Sequence, residues 1–170
     1  AVVALDISKA FDSVDHTLLL KQISDSAANS NVVRWLAAYL RGRTASCLYQ
    51  SCKSPFMIIH SGVPQGSVLS PSLFNYFVSD FPKLPLSHAF ADDIYAGRSS
   101  PDLLTLTSEL NEDMCLIETW ADSKGLSIAH GKSSITLFTP DPHQAKYHPQ
   151  VSYKGEVIPL DRNPKWLGLY

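Results

Sequence analysis

Two adjacent carboxylates are the first residues in this sequence with chemistry to offer. Asp92 and Asp93 lie in HAFADDIYAG, residues 88–97, between the apolar pairs Ala89-Phe90 and Ile94-Tyr95. Aspartate tolerates turns and disfavours strand interiors, so the stretch reads as two short strands joined by a tight turn that carries both carboxylates to one point. Like charges about 4 Å apart repel by roughly 4 kcal/mol at an effective dielectric of about 20. A hard divalent cation with oxygen ligands would offset that repulsion; two solvated turn aspartates would need none. A third acid, Asp6, ends the apolar run AVVALD, where a buried strand end more often carries Gly, Asn or Ser. It reads as a functional group or as a helix cap. Gln65 sits in GVPQGS among small residues that let a backbone lie close to a ligand, and its amide can both donate and accept. A plain loop ahead of a helix fits the same residues. Arg34, Arg41 and Arg43 put positive charge near one helix and its exit, either as a solvated face or as phosphate contacts.

Other chemistries fail on numbers. Three unevenly spaced cysteines (Cys47, Cys52, Cys115) suit a reducing compartment rather than a disulfide frame. With any of the six histidines they lack the spacing and ligand count of a zinc site, and His143 and His148 have no partner at metal spacing. A net charge of −2 and pI of about 6.3 argue against a dedicated nucleic-acid binder, which is usually basic. They leave room for an enzyme whose acidic centre holds metal. No apolar run approaches the ~18 residues of a membrane span, and no signal-peptide pattern opens the chain.

The elements that would position these groups follow from patterning. At 170 residues the chain can build one well-buried domain. Residues 1–6 read as a central buried strand delivering Asp6 at its edge. A helix from His16 to Ser24, capped by Ser13 or Asp15, should carry Leu18, Leu19 and Ile23 inward. Asn31 should cap a second helix whose Val32, Trp35, Leu36, Tyr39 and Leu40 form a core face, with Gly42 ending it. Residues 45–50 and 56–60 read as a hairpin around SCKSP. Ser100-Pro101 should open a long helix with Leu103, Leu106, Leu110, Met114, Ile117 and Ala121 inward and Gly125 closing it. Glu109, Glu112, Asp113 and Glu118 would form its solvated face. A strand from Ser134 to Phe138 and a hairpin of Val151–Tyr153 with Val157–Leu160 complete the pattern. Mixed helices and antiparallel hairpins make the class α+β. The chain opens inside one apolar strand and stops inside another pattern, so it is expected to be part of something larger.

Taken in order, five stretches resemble the reverse transcriptase family, and within it the non-long-terminal-repeat (LINE-like) retrotransposon enzymes. ALDISKAFDSVDH is similar to the first palm motif and GVPQGSVLSPSLFNYFVSD, the most specific, to the second. FADD is similar to the metal-binding box, with Phe90 where tyrosine is commoner; GLSIAHGKSSITLF is similar to the fourth motif and KWLGLY to the start of the fifth.

The resemblance implies a polymerase palm, about residues 1–13 and 67–170, whose antiparallel sheet packs on helices, and a fingers portion, about 14–66; further fingers and a thumb would lie beyond the chain. It implies RNA-directed DNA synthesis serving retrotransposition, with Asp6, Asp92 and Asp93 and the Ile7 carbonyl holding two Mg²⁺ (Mn²⁺ as a possible substitute). Phe11 would exclude a 2′-hydroxyl, against a reading as simple core. Gln65 and Gly66 would line the nucleotide pocket. Lys132 would stand near the leaving pyrophosphate as a proton donor, against a reading as a surface lysine. Trp166, Leu167 and Gly168 would grip the primer end, against a reading of Trp166 as packing. The implied partners are an RNA template, a DNA primer, deoxynucleoside triphosphates and flanking domains of a parent polyprotein, with no membrane. The implied setting is intracellular, nuclear and cytoplasmic, as a retrotransposon ribonucleoprotein. Two other readings use the same acids or the same fold: an inactive or repurposed copy that binds RNA or a protein, and a metal-dependent phosphatase or nuclease.

Overall fold

A computed structural model describes residues 1–26 and 28–164. In chain order its elements are strand β1 (Val2–Asp6), helices α1 (His16–Asp25) and α2 (Ser30–Leu40), and four two-residue strands, β2 (Thr44–Ala45), β3 (Leu48–Tyr49), β4 (Cys52–Lys53) and β5 (Met57–Ile58). Helix α3 (Ser70–Phe77), strands β6 (Leu86–Phe90) and β7 (Asp93–Gly97), helix α4 (Leu103–Lys124) and strands β8 (Ser134–Thr136), β9 (Ser152–Tyr153) and β10 (Glu156–Val157) follow. Helices mix with antiparallel pairs, as the α+β expectation requires. No helix among the described residues is long and apolar enough to cross a membrane. The chain forms two compact units, residues 1–8 with 81 onward, and residues 9–80.

The first unit is built on a sheet ordered β6-β7-β1-β8, every pairing antiparallel. β1 is an interior strand whose Val3 and Leu5 are buried while Val2, Ala4 and Asp6 are half-buried, the two-residue period of a sheet with one dry face. Helix α4 packs against β7 and β9 and buries Leu106, Leu110, Met114, Ile117 and Ala121, a helical stripe in which each large side chain contributes about 2 kcal/mol. Its cap is Asp102, which accepts from Thr105 N at 2.7 Å, rather than Ser100, two residues earlier, whose Oγ accepts from Asp102 N at 3.2 Å. Gly125 closes the helix at φ 67, where a side chain would be strained. β8 ends at Thr136, two residues short of expectation, and β9 and β10 pair around Lys154-Gly155.

One expectation for α4 fails. Asp113 is fully buried, because Arg98, just past the end of β7, reaches it with two hydrogen bonds of 2.7 Å. A paired fork of this kind lets a carboxylate leave water. Asp113→Ala should therefore cost about 3 kcal/mol, the low end for a broken buried pair because the Arg98 side chain stays 23% exposed. The drop in denaturant midpoint at constant slope measures it, and a loss under about 0.5 kcal/mol would place Asp113 with ordinary surface acids.

In the second unit Asp15 caps α1, accepting from Leu18 N at 2.8 Å; Leu19 and Ile23 face inward but Leu18 is 37% exposed. Asn29, not Asn31, caps α2, and only Leu36 and Leu40 are buried there. Trp35 is 55% exposed and stacks on Tyr39, so the aromatic side of α2 is a surface and not core. The expected single hairpin is two nested ladders, β2 with β5 and β3 with β4, the inner one turning at Gln50 with φ 51. α3 buries Leu73, Phe74 and Phe77.

Candidate functional site

In the first unit the acid-bearing strands meet at one end of the sheet. β1 and β7 pair with Asp6 directly opposite Asp93, and β6 and β7 pair up to Phe90 opposite Asp93, leaving Ala91 and Asp92 as the turn. Ile7 N donates to the Asp92 carbonyl at 3.0 Å, so the exit of β1 is tied to that turn. On the other side Ala129 N donates to the Asp6 carbonyl and Ser8 N to the Ser127 carbonyl, each at 2.8 Å. The backbone around Asp6 is thus held from both flanks. Lys132, in the helical turn His130–Lys132, places its ammonium 3.2 Å from Asp6 Oδ2 and 3.4 Å from Oδ1.

The electrostatics follow from this crowding. Burial, then the charges of Asp92 and Asp6, hold the Asp93 carboxyl above the usual carboxylate range, and Lys132 pulls it partly back. Asp6 Oδ2 is out of contact with solvent and lacks a hydrogen-bond partner; Lys132 stands at ion-pair distance without the alignment of a hydrogen bond. Asp6, Asp92 and Asp93 are the oxygen donors that could meet a hard cation here, and the Lys132 ammonium is the positive charge that stands beside Asp6 in this structure. Among the described residues no group of three or more His, Cys, Asp or Glu side chains is placed to hold a metal ion.

In the second unit Phe11 lies in the helical turn Ala10–Ser13 and stacks on Phe74, ring centroids 5.0 Å apart and planes at 26°. The loop carrying Gln65 runs alongside: Val63 N donates to the Phe11 carbonyl and Gly62 N to the Val14 carbonyl, each at 2.8 Å. Buried Ser70 fixes its far end, donating to the Pro64 carbonyl at 2.6 Å. Gln65 Nε2 donates to Asp12 Oδ1 at 2.9 Å, and Gly66 adopts φ 83. Asp12, Arg43, Thr44, Ser61, Gly62 and Gln65 line a cavity of about 320 Å³. Asp12 carries no signal of this role in the sequence, since a partner 53 residues away leaves no local trace. Arg43 does, through its charge, and it stands both on the cavity wall and 5.8 Å from the Tyr39 ring centroid. Trp166, Leu167 and Gly168 lie outside the described residues.

A family model described as reverse transcriptase (RNA-dependent DNA polymerase) matches residues 1–170. The chain belongs to the reverse transcriptase family. It is 30% identical, over 175 aligned positions, to the RNA-directed DNA polymerase from mobile element jockey of Drosophila funebris, covering 97% of this chain and 19% of that protein. It is 29% identical to the probable RNA-directed DNA polymerase from transposon X-element of Drosophila melanogaster, covering 97% of this chain and 18% of that protein. Against the retrovirus-related Pol polyprotein from type-1 retrotransposable element R2 of Popillia japonica it is 26% identical, over 80% of this chain and 27% of that protein. The chain spans about a fifth of the length of the mobile-element polymerases it matches. The family expected from the LDISKAFD, GVPQGS and FADD stretches is therefore found, and the relatives it matches are proteins of mobile elements.

Proposed function

We propose that this reverse transcriptase chain is the catalytic part of a larger RNA-directed DNA polymerase of a mobile element, adding deoxynucleotides to a primer 3′-hydroxyl. The observation that carries the reading is the cross-strand pair of Asp6 and Asp93, with Asp92 in the adjoining turn, in a chain of this family. Asp6, Asp92, Asp93 and the Ile7 carbonyl would hold the metal. Two Mg²⁺ ions, or Mn²⁺ in their place, would activate the primer hydroxyl and neutralise triphosphate charge. Lys132 contributes a positive charge beside Asp6 and is assigned to the leaving-group side as a proton donor. Phe11 is assigned to sugar selection, and Gln65 and Gly66 to nucleotide contact. The palm of the resemblance, about residues 1–13 and 67–170, would take in the first unit and both ends of the second, and the fingers portion, about 14–66, would lie within the second.

Charge placement supports a nucleic-acid partner. Between Asp25 and Asp80 the sequence carries Arg34, Arg41, Arg43 and Lys53 and no carboxylate, although the whole chain is net negative. Tyr49 and Phe56 are exposed in the same stretch, 75% and 66%, which suits stacking on unpaired bases of an RNA template. Such an enzyme would act inside the cell, in nucleus and cytoplasm, within a ribonucleoprotein of its own element.

The test is extension of a DNA primer on an RNA template by the full-length polypeptide with Mg²⁺ and deoxynucleotides. Hydrolysis without extension would favour the nuclease or phosphatase reading, and binding without either would favour a repurposed copy. In the same assay Phe11→Val should raise ribonucleotide incorporation relative to deoxynucleotide by about ten- to a hundredfold, the discrimination that one steric contact supplies. An unchanged ratio would return Phe11 to a packing role on Phe74.

A further inference from the structure

We infer that Asp12 is a positioning residue that sets the orientation of Gln65, and so determines which end of that amide meets a nucleotide. The inference rests on the assignment of Gln65 to nucleotide contact. A carboxylate only accepts hydrogen bonds, so the amide end turned toward Asp12 Oδ1, at 2.9 Å, is the NH₂. The carbonyl oxygen is left as the end turned away, and Gln65 offers a ligand an acceptor. Without Asp12 the amide could rotate, and donor and acceptor would exchange places at no cost.

Asp12 is itself held against movement. Ser61 Oγ donates to its carbonyl at 3.1 Å, and its N–H donates to the Lys9 carbonyl at 2.9 Å. Gly62 approaches so closely that a Cβ there would lie 2.9 Å from the Asp12 Cα and carbonyl oxygen. Its backbone is therefore fixed by contacts that do not involve the carboxylate, which leaves that group for Gln65. Both residues line the cavity that Arg43 also borders, so the acceptor and a cation serve the same space. A ligand with phosphate oxygens and a hydroxyl or amine donor matches this pair.

The experiment is steady-state primer extension by the full-length polypeptide, varying the deoxynucleotide. Asp12→Ala should raise KM for the nucleotide about fivefold with kcat within about twofold, the signature of lost binding rather than lost chemistry. Asp12→Asn, whose Oδ1 can still accept from Gln65, should stay near wild type. In a Gln65→Ala background Asp12→Ala should add nothing further. An unchanged KM for Asp12→Ala, or full additivity with Gln65→Ala, overturns the inference while leaving the polymerase reading intact; a wild-type protein that extends nothing removes both. If Asp12→Ala is too unstable to assay, Gln65→Glu carries the test. A second carboxylate then faces Asp12, KM rises, and adding Asp12→Asn should recover it at least about threefold by restoring a donor. No recovery overturns the inference.

Discussion

Asp92→Ala in the full-length polypeptide should reduce primer extension by about a thousandfold or more, and at neutral pH should slightly stabilise the fold it disables. The first effect follows from removing one of three carboxylates assigned to the metal, whose stabilisation of transferred charge is a large share of catalysis in such sites. The second follows from the crowding of Asp6, Asp92 and Asp93. Asp93 is held above its ordinary pKa by burial and then by the charges of Asp92 and Asp6, so the folded state binds a proton there more tightly than the unfolded chain does. A raised carboxyl makes the fold weaker above its folded pKa, and that penalty fades as pH falls toward the unfolded value. Removing Asp92 relieves part of it. The gain should be about 0.5 kcal/mol, small because the cluster is partly solvated, or about 1–2 °C for a domain of this size.

The sign with pH is fixed by the same shift. The advantage of Asp92→Ala should be greatest near pH 7, shrink as pH falls through the raised pKa of Asp93, and vanish below the ordinary aspartate value. Mg²⁺ should act in the opposite sense, raising the wild-type transition more than that of the variant, because only the wild type retains the full donor set. Thermal denaturation across pH with and without Mg²⁺, alongside extension assays, reads all of this. A variant that still extends, or one inactive only because it melts earlier than wild type, would remove the metal assignment from Asp92.

How legible the molecule was in its sequence depended on how local each signal is. The acid hairpin and α4 announced themselves: the alternation around Asp92-Asp93 and the Leu106, Leu110, Met114, Ile117 stripe are complete within a few turns of chain. Asp113 reads as solvated because its neighbours Glu109 and Glu112 look like a wet face, whereas its burial depends on Arg98, fifteen residues earlier and just beyond β7. Trp35 reads as core because helical spacing marks a stripe but not its width, and α2 buries only Leu36 and Leu40. Opposition of Asp6 to Asp93 is a matter of strand register, which no spacing reveals; in the sequence it rested on resemblance to reverse transcriptases. Contacts between Asp12 and Gln65 are of the same nonlocal kind, and nothing in AFDSVD alone suggests them.

Gly62 and Gly66 lie in one small-residue loop, and the structure separates what a side chain would cost at each into a second large prediction. Both have positive φ, 89 and 83, so alanine at either meets the left-handed backbone penalty of about 1 kcal/mol. Gly66 has nothing within 4 Å of where a Cβ would stand, and the cost should end there. At Gly62 that Cβ would lie 2.9 Å from the Asp12 Cα and carbonyl oxygen and 3.1 Å from its carbonyl carbon, all backbone atoms that cannot rotate away. The loop has little slack to yield. Gly62 N donates to the Val14 carbonyl at 2.8 Å, its carbonyl pairs with His16 Nε2 at 2.7 Å, and Ser61 Oγ holds the Asp12 carbonyl. Overpacking against a fixed backbone costs about 1–3 kcal/mol more, so Gly62→Ala should lose about 3 kcal/mol or more in total. It should also pull Asp12 away from Gln65 and so raise the nucleotide KM. Denaturation midpoints and KM for the two variants, measured side by side, decide the matter. Equal losses would mean that the approach of residues 61–65 to residues 11–14 is looser than these distances, and the orientation of Gln65 by Asp12 would fall with it.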